Sequence, residues 1–214
     1  MHEGNKPSNY ETMKNNMASV FLQYDQESMI RKFALEHDED YLYIRFTGRK
    51  YRICRRTGAV TWSEDAFSTE TKADYNEAMT IYDVLCCPRD DCRLSGEWVN
   101  IERLSSIRGG TLSKSGGFFA DAGKYFDRKA AKLDRACEAL QGRKISGGDA
   151  ACELDLFPFL PLCLRFWESD EEFPPSLQIL TDKNILDYMH YETLMFAVSH
   201  VIGRLKDLVS GNES

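Results

Sequence analysis

Apolar residues along this chain alternate between two spacings, and each change of spacing marks a change of element. Met13, Met17, Val20, Phe21 and Tyr24 recur every three to four positions, which predicts a helix, and Met29 to Leu35 resumes the pattern after a polar break at Asp25 and Gln26. From Tyr41 the period falls to two. Tyr41 to Phe46, Tyr51 to Cys54 and Ala59 to Trp62 read as strands, separated by Thr47-Gly48-Arg49-Lys50 and Arg56-Thr57-Gly58 as turns. Connections this short join only antiparallel neighbours. Helical spacing returns from Thr69, where Tyr75, Ala78, Met79, Tyr82, Leu85 and Cys86 share a face and Pro88 halts the pattern at Cys87.

Glu97 to Ile101 reads as a short strand, and Ser105 to Gly117, rich in Ser and Gly, as a loop. A further helix carries Phe126, Ala130, Leu133, Cys137 and Leu140 on one face and ends at Gly142, where a left-handed residue is expected. Cys152 to Leu156 and Leu160 to Trp167 alternate as strands, and Ser176 to Leu180 is the return partner of the second. Leu194, Met195, Val198, Val201, Ile202, Leu205, Leu208 and Val209 form the stripe of a final helix that starts between Asp187 and His190. The order predicts an α+β fold: a mostly antiparallel sheet covered by three or four helices, with a long C-terminal helix. The pattern divides the chain into an N-terminal helical segment, 1–40, and a single α+β domain, 41–214.

The chain has 214 residues, 43% of them hydrophobic, enough for a buried core. Its 34 acidic and 27 basic residues give a formal charge of -7, which argues against a surface built to hold a phosphate backbone and so against nucleic acid as a partner. The local exception, Arg45, Arg49, Lys50, Arg52, Arg55 and Arg56, falls on the strand hairpin and reads as a solvated face. No signal segment and no apolar run of about 18 residues is present, so a membrane partner is not expected and a cytoplasmic location is. Seven cysteines, an odd number scattered through helices and strands, read mainly as small buried hydrophobes in a reducing compartment.

The richest stretch is 160–175, where an alternating strand ends in Trp167 and then Glu168, Asp170, Glu171 and Glu172 before Phe173 and two prolines. Carboxylates crowded in one turn would suit a hard cation, with Asp170, Glu171 and Glu172 as ligands, or would raise one carboxyl pKa by like-charge repulsion. In the structural alternative Asp170 accepts turn N–H groups, Glu171 or Glu172 pairs with Arg165, and Phe173 tucks inward. Trp62, Trp98 and Trp167 lie in or beside strands and would either fill the core or line a concave face for a flat ligand. Cys86, Cys87 and Cys92 offer three thiolates to a soft metal, without the paired spacing of a zinc or cluster motif. His190 and His200 lie too far apart along one helix to share an ion, and Cys163, which with either could make a nucleophile pair, reads on its alternating strand as a core residue.

Gly96-Glu97-Trp98-Val99, Gly147-Gly148-Asp149, Phe166-Trp167 with Asp170-Glu171-Glu172-Phe173-Pro174, and Leu180-Thr181-Asp182 together resemble the bacterial and archaeal family called domain of unknown function 3786. The resemblance covers the chain from about Tyr41 onward. It implies a setting in anaerobic redox or corrinoid metabolism, although the iron-sulfur module some members carry has no counterpart in this sequence. The expected function is a cofactor- or small-ligand-binding module, with haem, a corrinoid or a metal ion as possible cofactor and a small molecule or redox protein as partner. Its expected site is Glu97, Trp98, Arg165, Trp167, Asp170, Glu171, Glu172 and Phe173. A metal-assisted hydrolase or lyase using the acidic turn, and an interaction protein without chemistry, are the alternatives. No acid, base and nucleophile converge in the sequence, which weighs against an enzyme.

Overall fold

The computed structural model describes residues 8–107 and 115–211. Two helices open it, α1 (Asn9–Phe21) and α2 (Gln26–Phe33), and the polar break between them is a cap: the Asp25 carboxylate accepts the N–H groups of Glu27 and Ser28. Phe21, Met29 and Ile30 are buried in the common core. A meander follows, β1 (Glu36–His37), β2 (Tyr41–Phe46), β3 (Arg49–Cys54), β4 (Val60–Ser63) and β5 (Thr71–Lys72), antiparallel and paired in chain order. Only Thr47 and Gly48 turn the β2–β3 hairpin, at φ of 49° and 77°, the left-handed pair that matches the twist of the flanking strands.

Helix α3 (Tyr75–Cys86) starts at Tyr75 and not near Thr69, because Thr71 and Lys72 pair with β4 and Asp74 caps the helix reciprocally with Glu77. After β6 (Trp98–Asn100) come α4 (Ile101–Ile107), α5 (Ser115–Phe126) and α6 (Ala130–Ala139). Here the expected loop is corrected: Ser105 to Ile107 belong to α4 and Ser115 to Gly117 to α5, while 108–114 lie outside the described residues. The one helix expected from Phe126 to Leu140 is two, since the chain turns at Arg128, φ 60°. Gln141, φ 62°, takes the left-handed position expected of Gly142. Gly142 is needed for space instead, as a Cβ there would lie 2.8 Å from the Cys137 carbonyl oxygen.

The remaining strands, β7 (Arg143–Lys144), β8 (Ala150–Phe157), β9 (Leu160–Trp167) and β10 (Ser176–Asp182), join β6 in a second antiparallel sheet of order β6-β10-β9-β8-β7. The fold is therefore α+β with two sheets. They meet where the Thr47 N–H donates to the Leu156 carbonyl at 2.9 Å and the rings of Phe46 and Phe157 stack at 5.0 Å. A single 3-10 turn, Ile185–Asp187, leads into α7 (Tyr191–Ser210), whose stripe of Leu194, Val198, Val201, Ile202, Leu205 and Val209 is buried against α3 and α6. Among the described residues no helix is long and apolar enough to cross a membrane.

Candidate functional site

Strands β9 and β10 are hydrogen-bonded neighbours with Trp167 opposite Ser176, so the acidic segment between them is a hairpin connection. Beside it opens a cleft of about 780 Å³, lined by Arg128, Asp149, Trp167, Glu168, Ser169, Asp170, Phe173, Pro174 and Ser176. Of the residues expected in the site, Trp167, Asp170 and Phe173 meet here. Phe173 does not tuck inward; it is 65% exposed, one of the largest apolar surfaces the protein leaves to water.

Most of the acids are occupied in shaping the bend. Asp170 accepts the N–H groups of Glu172 at 2.8 Å and Phe173 at 2.7 Å while its own N–H donates to the Phe173 carbonyl. Glu168 reaches the first N–H of α6, at Ala130, at 2.9 Å, a cap supplied from another element. Asp149 accepts the Glu168 N–H at 2.8 Å, and Asp127 accepts both the N–H and the hydroxyl of Ser169. The expectation of a carboxyl raised by like charges is corrected for Asp170. The N–H groups of Phe173 and Glu172 hold it below the usual carboxylate range. Glu171 and Glu172 are exposed and do not line the cleft.

Glu97 and Trp98 are elsewhere. Trp98 pairs with Asp182 and Trp167 with Ser176, six residues apart on β10, a separation of about 20 Å along the strand. The reason is the shortness of β6, which pairs only with Leu180, Thr181 and Asp182. Glu97 is ion-paired with Lys183 at 3.0 Å. Buried Asp182 accepts the N–H groups of Ser95, Gly96 and Asn184 and the Ser95 hydroxyl, so the Gly96 and Asp182 motifs fasten one loop. Arg165, two residues before Trp167, lies against Gly147 and beside Cys163, and its buried Nε has no hydrogen-bond partner among the described residues. The three tryptophans share no face: Trp62 is in the first sheet under the Arg49 guanidinium, 3.6 Å from the ring centroid.

The three candidate thiols also part company. Cys86 is buried and its thiol is pushed up to about 12 by burial and the neighbouring Cys87 and Asp83. Cys92 lies beside Lys32, Asp187 and Tyr188. Cys87, at the exposed end of α3, is instead gathered with Asp83 and His190, one ligand atom of each within 4.8 Å of the others. Burial and the Asp83 carboxylate push the Cys87 thiol up, the opposite of an activated nucleophile. Cys163 is buried in β9 beside Arg165 and Glu153, the core position its strand alternation suggests, while His190 is bonded to Asp83 and His200 lies against Glu77.

Sequence patterns carried no signal for Arg128, which a helix break delivers, and marked Asp149 only as part of the Gly147-Gly148-Asp149 family segment without placing it at the cleft. For Asp83 and Cys87 a signal exists in their four-residue spacing on one helix face. The model of the family named domain of unknown function (DUF3786) matches residues 25–204. The chain belongs to that family. No curated protein and no solved structure matches it.

Three of the segments that carry the family likeness are thereby given structural work in this chain. Gly96 and Asp182 close the loop before β6, and Gly147 to Asp149 hold the end of β9: a Cβ on Gly148 would lie 2.6 Å from the Phe166 carbonyl oxygen. Trp167 and Phe173, by contrast, line the cleft. The cleft walls offer oxygen donors and one guanidinium, with no imidazole, thiolate or thioether among the described residues that line them. Among the described residues that line the cleft, haem iron or corrinoid cobalt therefore finds no soft or imidazole axial ligand.

Proposed function

We propose that this protein is a small-ligand-binding module whose ligand lies in the cleft beside the β9–β10 bend. The observation that carries the reading is that Trp167 and an outward-turned Phe173 both line a cleft of about 780 Å³, inside the size range of small-molecule sites. The two rings supply stacking surface, and the three carboxylates of Asp149, Glu168 and Asp170 against one Arg128 favour a flat ligand that is neutral or cationic. The acids act here as shape and field, since their oxygens already bind N–H groups of the bend and of α6. The metabolic setting, anaerobic redox or corrinoid-linked chemistry, is attached to this reading by family likeness alone.

The test uses Trp167 as its reporter. In a Trp62→Phe, Trp98→Phe background, indole emission is titrated without oxygen against flavin, nicotinamide, haemin and cobalamin probes and against a small-molecule extract of anaerobic cells. We expect saturable quenching by at least one of these, with a raised melting temperature, and roughly fivefold weaker binding in Phe173→Ala, the loss of one stacking contact of about 1 kcal/mol. Absence of quenching and of any melting shift across the whole set would remove the proposal.

A further inference from the structure

The last turn of α3 sets Asp83 and Cys87 on one face, four residues apart, with the Cys87 N–H closing the turn on the Asp83 carbonyl at 2.9 Å. Helix α7 begins across from it at His190, whose own side chain makes no capping bond. Asp83 supplies that cap from the neighbouring helix: one carboxylate oxygen accepts the His190 N–H at 2.7 Å. Its other oxygen lies 2.7 Å from His190 Nδ1. Capping explains the first contact. It does not explain an imidazole held on the second oxygen, in front of a thiol, with 71% of the side-chain surface open to water. Tyr24 lies beside the Cys87 thiol, so four polar side chains from three parts of the chain converge where two helices meet.

We propose that Asp83, Cys87 and His190 form a three-ligand site for a borderline divalent transition-metal ion of the zinc class, with one coordination position open. The donor set selects the metal. One oxygen, one nitrogen and one sulfur do not suit calcium or magnesium, which take oxygen shells, or an iron-sulfur cluster, which takes thiolates. Zinc accepts all three donors. In a tetrahedral shell the ligand atoms lie about 3.5 Å apart, so the most widely spaced of these atoms, at most 4.8 Å apart now, close by up to roughly 1 Å while the Asp83–His190 Nδ1 pair, now 2.7 Å apart, opens slightly, and Cys87 and His190 sit at the exposed side where such adjustment is least opposed. The carbonyl end of α3 adds partial negative charge beside Cys87. Binding breaks the S–H bond of Cys87, forms the metal–sulfur bond and releases the proton to solvent. Structural zinc sites take four protein ligands, so three with an open position is the arrangement that leaves room for water or a further ligand. The site shares no residue with the cleft of the proposed function, and each stands or falls without the other.

Cobalt(II) replaces zinc and reports its ligands by colour. Reduced, chelator-treated protein titrated with Co2+ without oxygen should bind one equivalent and develop a near-ultraviolet thiolate-to-cobalt charge-transfer band, displaced by zinc. Cys87→Ser should abolish the band, Cys86→Ser and Cys92→Ser should keep it, and His190→Gln should weaken cobalt binding by roughly 100-fold or more. Cys87 and His190 are exposed, so these variants keep the fold, which circular dichroism checks. Zinc-edge absorption spectroscopy of the wild type should report one sulfur among light-atom neighbours. No charge-transfer band, a band that survives Cys87→Ser, or a zinc shell without sulfur would overturn the site.

Discussion

His200 illustrates how one residue's surroundings, and not its type, set its chemistry. It is buried on α7, stacked on Phe46 at 4.6 Å, with Nε2 lacking a hydrogen-bond partner among the described residues. Glu77 lies 3.7 Å from Nδ1, close enough to suggest an ion pair, yet burial and the guanidinium groups of Arg204 and Arg49 push the ring down to about 3. Glu77 is served instead by the Tyr51 hydroxyl at 2.7 Å. The ring is thus neutral in the folded protein and protonates in the unfolded chain near its ordinary 6.5. Unfolding takes up a proton between these values, so the contribution is complete above pH 6.5 and is lost as pH falls toward 3, at about 1.4 kcal/mol per unit. Glu77, raised by burial, acts with the opposite sign just above its own ordinary value, so a comparison of variants isolates the histidine. Between pH 6.5 and 5 we expect the wild type to lose about 2 kcal/mol more than His200→Leu, measured by urea unfolding at each pH. Sequence alone exposed the histidine but not its neighbours, since Glu77, Arg49 and Phe46 reach it from three other elements.

At the scale of elements, helices and strands were legible wherever periodicity ran long, and misread where a short-range signal had two meanings. The stripe of α7 is continuous, and its burial follows the pattern residue by residue. Phe126 to Leu140 also holds a continuous stripe, yet it spans two helices, because Arg128 adopts a left-handed backbone that no periodicity reveals. The hairpin bounded by Trp167 and Ser176 was legible from alternation and prolines together. The partner of Glu97 and Trp98 was not, because β6 finds its place through Asp182, most of a sequence domain away. Asp182 is where this can be tested. Burial opposes its ionisation, but the N–H groups of Ser95, Asn184 and Gly96 outweigh that and hold the carboxyl low. Asp182→Ala strands those donors, and we expect a loss of about 2–4 kcal/mol in denaturant unfolding, with faster amide exchange at Ser95 and Gly96 than elsewhere in the sheet.

Across the described residues, two antiparallel sheets share one apolar core, and they are joined by a backbone bond from Thr47 to Leu156 and by the stacked rings of Phe46 and Phe157. Phe46→Ala opens a cavity at that junction and removes the surface on which His200 stacks. We expect it to cost about 3–5 kcal/mol by calorimetry or denaturant titration, while an Ala at exposed Phe173 changes stability by less than about 0.5 kcal/mol. That contrast separates a ring used for folding from one left free for a ligand. The sequence by itself determined the α+β class, the antiparallel pairing of strands joined by short turns, the final helix and the family, because these depend on local periodicity, turn length and contiguous motifs. Tertiary structure alone decided that the strands form two sheets, that Trp98 stands about 20 Å along the strand from Trp167, and that Cys87 keeps company with Asp83 and His190 and not with Cys86 and Cys92. Those outcomes depend on which distant segments bury one another, and burial is a property of pairs of surfaces that no single stretch of chain contains.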